Sequence, residues 1–302
     1  MVEAKTVFGG ETEKRAYVEA CEAGYEATLD NAVARVVADP DCRIITLTGP
    51  TCSGKTTTAR KLISEFSDAG RSVHVISIDD FYYDRSVLID RAQKSGGVID
   101  FDSPSTIDMD AFSETVADIF AGRPARVPHF DFKKGRRTEY ETVMPDGHDV
   151  YIFEGIQAIY PEVTAHFAGH RYLSVFAFAV KGIRVLGEEI DRTELRLLRR
   201  LVRDYNFRGA SPVFTLDLWR SVRDNEDTHI LPYINTADVL IDSTLGYELS
   251  ALKPFLLPLL SSIPKTHAFY TEGRRVASIL ARIDEISKTY IPATSVYRDF
   301  LG

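Results

Sequence analysis

The chain has 302 residues, of which 44% are hydrophobic and 26% charged, and a formal net charge of −8. That length can bury a large core, while the acidic balance argues against a general binder of nucleic acid or anionic membrane, whose affinity rests on a basic field. Three cysteines, Cys21, Cys42 and Cys52, form no paired framework or metal spacing, the first twenty residues are charged, and no run of eighteen apolar residues occurs, so a reduced, cytoplasmic globular protein is expected.

Tyr17, Cys21, Tyr25, Leu29, Ala32, Val33 and Val36 recur at helical spacing, which predicts an amphipathic packing helix ahead of the first strand. Ile44 to Thr48 then reads as a buried strand. Ala59, Leu62, Ile63 and Phe66 form the inward face of a helix that Asp68-Ala69-Gly70 stops. Between them, Gly49-Pro50-Thr51-Cys52-Ser53-Gly54-Lys55-Thr56 fits G-x-x-x-x-G-K-[ST] in the strand-to-helix context that this motif requires. Gly49 and Gly54 let the backbone turn so that its N–H groups and the helix N-terminus converge on an anion. Lys55 then reaches the outer phosphates of a nucleotide, and Thr56 offers its hydroxyl to Mg²⁺. The loop through Thr57 is the predicted nucleotide-binding segment, with Cys52 as a small filler.

Val73 to Ile78 predicts a second strand, followed by Asp79-Asp80-Phe81-Tyr82. A carboxylate beside a nucleotide cradle can accept a proton from an attacking hydroxyl and can also hold Mg²⁺, which makes Asp79 the candidate base. Asp80 should point to the opposite side. Residues 99 to 148 break the alternation of strands and helices. A helix from about Met109 to Phe120, with Phe112, Val116, Ile119 and Phe120 inward, leads through Gly122-Arg123-Pro124 into short extended pieces, which predicts a small substrate-covering subdomain. Val150 to Phe153 predicts a third strand with Glu154 at its end, placed to reach the metal directly or through water. Further strands are predicted at Leu173 to Val180 and Ala237 to Ile241. The fold class is therefore α/β, a parallel sheet wrapped by helices that binds ligands at the carboxyl ends of its strands.

Six arginines and no lysine stand between Arg192 and Arg208. Arg192, Arg196, Arg199 and Arg203 step by four, three and four, which makes one stripe of a helix with Arg200 just beside it. Glu194 and Asp204 are the only acids in that window, too few to neutralise the stripe. The excess predicts a closing lid that places guanidinium groups on transferring phosphate oxygens and expels water. Beyond the last strand, Leu252 to Leu260 is apolar with two prolines, and Val276, Ile279, Leu280, Ile283 and Ile286 predict another amphipathic helix, together a structural cap. A GTPase-like switch is disfavoured. There is no N-K-x-D, and the single D-x-x-G, Asp299 to Gly302, stands where it cannot follow a strand of that type.

Read in order, six segments resemble the phosphoribulokinase/uridine kinase family: Gly49 to Thr56, Asp79-x-Phe81-Tyr82, Phe101-Asp102-x-Pro104, Phe130-Asp131-Phe132, Phe153-Glu154-Gly155-Ile156 and Arg199-Arg200-Leu201-Val202-Arg203-Asp204. The likeness covers roughly residues 43 to 245, and the tail is similar to a longer bacterial branch labelled uridine or nucleoside kinase. It implies a P-loop kinase using ATP and Mg²⁺ on a small-molecule acceptor, with Lys55, Asp79 and Arg203 catalytic. Gly49, Pro50, Thr51, Cys52, Ser53, Gly54, Lys55, Thr56, Thr57, Arg203 and Arg208 would hold ATP, and Thr56, Asp79 and Glu154 would surround the metal. Asp79, Tyr82, Asp102, Phe130 and Arg200 would meet a nucleoside, with Asp79 as base for its 5′-hydroxyl and Asp102 on the ribose hydroxyls, where a carboxylate accepts from a cis-diol. The implied organisation is an N-terminal helical extension (1–42), a kinase domain (43–245, with a substrate-binding insertion at 99–148 and a lid at 192–212) and a C-terminal helical cap (246–302). A homo-oligomer is expected by analogy with related kinases.

The departures fall in one place. Where uridine-cytidine kinases have a Tyr and then a His that contact the pyrimidine, this chain has Phe130 and Gly135, Ser103 replaces a His, and Ala210 replaces an Arg. Phe130 can still stack on a base, and Arg136 or Arg137 could supply donors. A sugar phosphate or other polyol stays open as acceptor, and so does a catalytically silent nucleotide-binding role.

Overall fold

The computed structural model describes residues 1–95 and 103–301, so Asp102 lies outside the described residues. β1 (Val2–Glu3) and α1 (Glu11–Val37) precede β2 (Ile44–Thr48), α2 (Lys55–Asp68) and β3 (Val73–Ser77). Then come α3 (Arg85–Ser95), α4 (Met109–Phe120), β4 (Ala125–Asp131), β5 (Arg136–Val143), β6 (Val150–Glu154), α5 (Pro161–Thr164) and β7 (Tyr172–Phe178). β8 (Ile183–Val185), β9 (Glu188–Ile190), α6 (Arg192–Arg208), α7 (Pro212–His229) and β10 (Val239–Asp242) lead to α8 (Glu248–Ser261), α9 (Tyr270–Ala281) and α10 (Arg298–Leu301).

Five strands pair in the order β10-β7-β2-β6-β3, all parallel. A parallel strand covered on both faces needs a continuous apolar run, and every residue of β2 is buried. The edges relax that demand: Val75 on β3 and Leu240 on β10 are each 41% exposed. Alternate side chains of β2 serve different cores. Ile45 and Leu47 join the cluster that contains residues of α1, α2, α6 and α8, while Ile44 joins a second cluster with Phe112, Val116 and Ile119 of α4. The five strands and the helices between them agree with the α/β class that the alternation of segments predicts.

α4 spans the predicted residues because Asp108 caps it, accepting from the Ala111 N–H at 3.1 Å. The short extended pieces after it are an antiparallel hairpin, β4 with β5, whose register shifts between His129 and Phe130. Elsewhere the chain departs from expectation. The small sheet β1-β8-β9 has strands of two and three residues, too short to leave a periodicity. α8 runs through Pro254 and Pro258. α9 stops at Ala281, so Ile283 and Ile286 are buried from a non-helical stretch, held where the Ile286 N–H donates to the Ser250 carbonyl at 3.1 Å.

Candidate active site

The turn from β2 into α2 is a backbone nest shaped by close contacts. Gly49 has φ +153°, and a Cβ there would sit 2.0 Å from the Ala177 carbonyl oxygen of β7, so only glycine lets the loop pass that strand. Gly54 has φ +88°, and a Cβ there would lie 2.1 Å from Val296 Cγ2. Cys52 takes a left-handed φ of +57°, a conformation that needs outside support in a residue with a Cβ. The Arg196 Nε donates to the Thr51 carbonyl at 3.1 Å, and Arg199 Nη1 donates to the Cys52 carbonyl at 3.2 Å. Both supporting side chains are fully buried.

One cavity of about 450 Å³ opens over this loop, lined by Thr51, Cys52, Ser53, Gly54, Lys55, Thr56, Asp79, Glu154, Ile156, Arg203, Arg208, Asp299 and Phe300. Glu154 ends β6, and Asp79 stands in a short 3-10 turn directly after β3, so two neighbouring strand ends bring their acids to the same space. The Lys55 ammonium donates to the Gly49 carbonyl at 2.7 Å and the Pro50 carbonyl at 3.2 Å. Burial lowers its pKa, against the opposing charges of Glu154 and Asp79. Ser53 Oγ, on the wall of this cavity, is buried and makes no hydrogen bond within the protein, which is the condition of a donor facing an anion.

The arginine helix enters this site with its second half only. Arg203 donates to Asp204 Oδ1 from Nη2 at 2.7 Å and to Thr51 Oγ1 at 3.3 Å. Burial lowers the Arg208 pKa, with the positive charge of Arg203 beside it as the next cause. Asp204 pairs with both guanidinium groups, Arg208 Nη1 at 3.5 Å, and both line the cavity, where they can meet an oxyanion.

The first half corrects the expectation of an unneutralised stripe. Arg196 pairs with Glu226 of α7, and Arg199 pairs with Glu248 of α8, both arginines without solvent exposure. The acids missing from the local window come from helices later in the chain. Arg200 does not line the cavity: its Nε donates to Asp204 Oδ2 at 3.1 Å, and its guanidinium lies 6.0 Å from the Trp219 ring centre. Gly49 and Pro50 act on the cavity through Lys55, and Thr57 lines a separate groove with Glu26 and Lys61.

Tyr82 and Phe130 are buried in an edge-to-face aromatic group with Phe132 and do not line this cavity, and Gln157 Nε2 donates to the Tyr82 hydroxyl at 2.9 Å. Asp80 lies in the 3-10 turn rather than on the strand from which its direction was expected, does not line the cavity, and accepts the Phe130 N–H at 2.8 Å. Arg137, offered above as a donor to a base, is committed elsewhere. It donates to the carbonyls of Tyr82 and Phe81 at 3.1 Å each, and to Asp108 at 2.8 Å. Gly135 has φ +66°, and a Cβ there would meet Arg85 Cβ at 2.9 Å, so this hairpin is built to exclude the side chain that the sequence lacks. Sequence reading missed Asp299 and Phe300. Only the out-of-context D-x-x-G marked that stretch, and no motif ties it to a phosphate loop.

The Phosphoribulokinase / Uridine kinase family model matches residues 44–247. A uridine kinase from Ureaplasma urealyticum serovar 10 is 30% identical over 199 residues, covering 66% of this chain and 86% of its own. One from Bacillus subtilis strain 168 is 28% identical over 200 residues, covering 66% and 84%. A solved structure of a possible uridine kinase from Bacillus stearothermophilus is similar at 17% identity and a TM-score of 0.48, covering 72% of this chain and 98% of the other. With the model spanning the phosphate loop, both strand-end acids and the arginine helix, the chain belongs to the phosphoribulokinase/uridine kinase family of P-loop kinases.

Proposed function

We propose that the protein is an ATP- and Mg²⁺-dependent kinase that phosphorylates the 5′-hydroxyl of a nucleoside, its base preference open. The reading rests most on one observation, that Asp79 and Glu154 share a single cavity with Lys55, Thr56, Arg203 and Arg208. In this reading the acceptor oxygen attacks the γ-phosphorus, the bond to the β,γ-bridging oxygen breaks, and Asp79 takes the hydroxyl proton as ADP departs. Lys55 and the loop N–H groups hold the donor's phosphates in line, and Arg203 and Arg208 stabilise charge on the transferred group.

A hydroxyl and two carboxylates are hard oxygen donors of the kind that Mg²⁺ takes when it shares its sphere with substrate phosphates and water. Among the described residues no three His, Cys, Asp or Glu side chains form a closed metal cage, which suits an ion that arrives with the nucleotide. Thr56, Asp79 and Glu154 would hold it, and the bound ion would neutralise phosphate charge. Tyr82 and Phe130 are themselves buried, and Phe132 is the exposed ring of that aromatic group, open to a base. Arg137, tied into the hairpin, is engaged elsewhere and does not serve to discriminate one base from another.

The test is ADP release from ATP and Mg²⁺ over uridine, cytidine, adenosine, guanosine and inosine, with ribulose 5-phosphate as a polyol control. Turnover with at least one nucleoside well above ATP hydrolysis supports the reading. Activity with ribulose 5-phosphate alone moves the acceptor to the polyol class, and a flat response across the panel rejects the kinase reading.

A further inference from the structure

The family match ends at residue 247, yet the nucleotide cavity does not. Its wall includes Asp299 and Phe300 of α10, a helix of four residues near the end of the chain. This segment is fastened at several points. Val296 packs on Gly54 of the phosphate loop, and Ser295 Oγ lies 3.1 Å from the Tyr247 hydroxyl. Arg199 Nη2 donates to the Tyr297 hydroxyl at 3.2 Å, and Asn206 Nδ2 donates to the Phe300 carbonyl at 3.1 Å. The ring of Phe300 packs edge-on to Tyr297 at 5.7 Å. Asp299 meets α2 through Arg60, at 3.4 Å.

The sheet order decides what such a wall can do. Asp79 and Glu154 follow β3 and β6, on one side of the central strand β2. α10 is held by α6 and by Tyr247, which belong to the chain after β7 and after β10, on the other side. A nucleotide whose terminal phosphoryl faces Asp79 then has the Asp299 side of the same cavity for its remaining atoms. A carboxylate in that position repels phosphate, and it is an acceptor only, so it suits hydroxyl donors.

We propose that α10 supplies part of the donor-nucleoside subsite, with Asp299 accepting hydrogen bonds from the ribose hydroxyls of the donor, while the buried Phe300 anchors the helix behind it. This rests on the phosphate-loop reading above and extends it to residues outside the family match. A hydrogen bond to a charged group is worth enough to change affinity by roughly tenfold or more.

The test is calorimetric titration of the full chain with Mg·ADP, Mg·2′-deoxy-ADP and Mg·3′-deoxy-ADP, with no acceptor present. The wild-type protein should bind ADP about tenfold more tightly than at least one deoxy analogue. Asp299→Ala should weaken ADP to the level of that analogue and leave the analogue's own affinity almost unmoved. The thermal midpoint of Asp299→Ala serves as the check on its folding. If the wild type binds all three equally, or Asp299→Ala keeps the discrimination, the subsite is overturned while phosphate-loop binding stands. If the wild type binds no nucleotide, the proposed function falls and takes the subsite with it.

Discussion

Arg199 and Glu248 form a bidentate ion pair with no solvent exposure on either side, Nε to Oε1 at 2.5 Å and Nη2 to Oε2 at 3.0 Å. The same guanidinium donates to the Ser243 carbonyl at 2.8 Å and to the Cys52 carbonyl of the phosphate loop at 3.2 Å. An arginine from the stripe expected to form a lid thus joins the tail to the nucleotide loop. Glu248→Ala leaves that charge buried without its partner, and a loss of about 3 to 5 kcal/mol in unfolding free energy is expected from urea denaturation. The double variant Arg199→Met with Glu248→Leu should recover much of it, because removing both charges also removes both desolvation costs.

Asp79→Asn keeps the shape of the side chain and removes its basicity. Turnover should fall by about 10² to 10⁴ while ADP affinity stays near the wild-type value, measured by steady-state kinetics and calorimetry on the same preparation. Unchanged turnover would remove Asp79 from the role of base.

Arg203 and Arg200 share Asp204 as a partner, but only Arg203 lines the cavity. Arg203→Ala should therefore lower kcat by about 10³, the scale of an arginine that meets the transferred phosphoryl. Arg200→Ala acts through Asp204, and its effect should be clearly smaller. Equal losses would assign both arginines to one packing role.

Gly54→Ala asks an L-residue to hold φ +88° and drives its Cβ into Val296 Cγ2. The left-handed backbone alone costs about 1 to 2 kcal/mol, and the steric contact adds to it. The denaturation midpoint and ADP affinity should both fall, and Val296→Ala in the same chain should restore part of each. No recovery would place the whole defect in the backbone.

Burial pushes the Asp80 carboxyl above its ordinary value, against the Phe130 N–H and His129, which pull it down. A raised folded value means that this group's contribution to stability is fully present below about pH 3.8, the unfolded value, and fades as pH rises through the folded one. Asp80→Asn, which keeps an acceptor for the Phe130 N–H and cannot ionise, should gain on the wild type as pH rises from acid to neutral. A stability difference that stays flat across that range would contradict it.

Much of the architecture was legible because it obeys local rules. The continuous apolar run of β2, the helical spacing in α4 and the Gly-x4-Gly-Lys-Thr turn each state their conformation within a few residues. What stayed illegible depends on pairs distant in sequence. Glu226 and Glu248 lie 30 and 49 positions from the arginines that they neutralise, so a window drawn around the stripe sees an excess of charge that the fold does not have. Asp299 is hidden by the same distance, since its place in the cavity follows from Val296 packing on Gly54. α8 continues past two prolines because its helix is secured by burial of Leu252, Leu256, Leu259 and Leu260 rather than by an unbroken hydrogen-bond ladder.

The two buried guanidinium groups that grip the Thr51 and Cys52 carbonyls have a thermodynamic corollary. A loop already fastened in its curved form gives up little conformational freedom when an anion arrives, so nucleotide association here should carry a small ordering entropy. It also limits how α6 can move: a rigid swing of the whole helix would tear both carboxylate partners from their arginines, leaving any hinge-like rearrangement to the turns beyond Arg200.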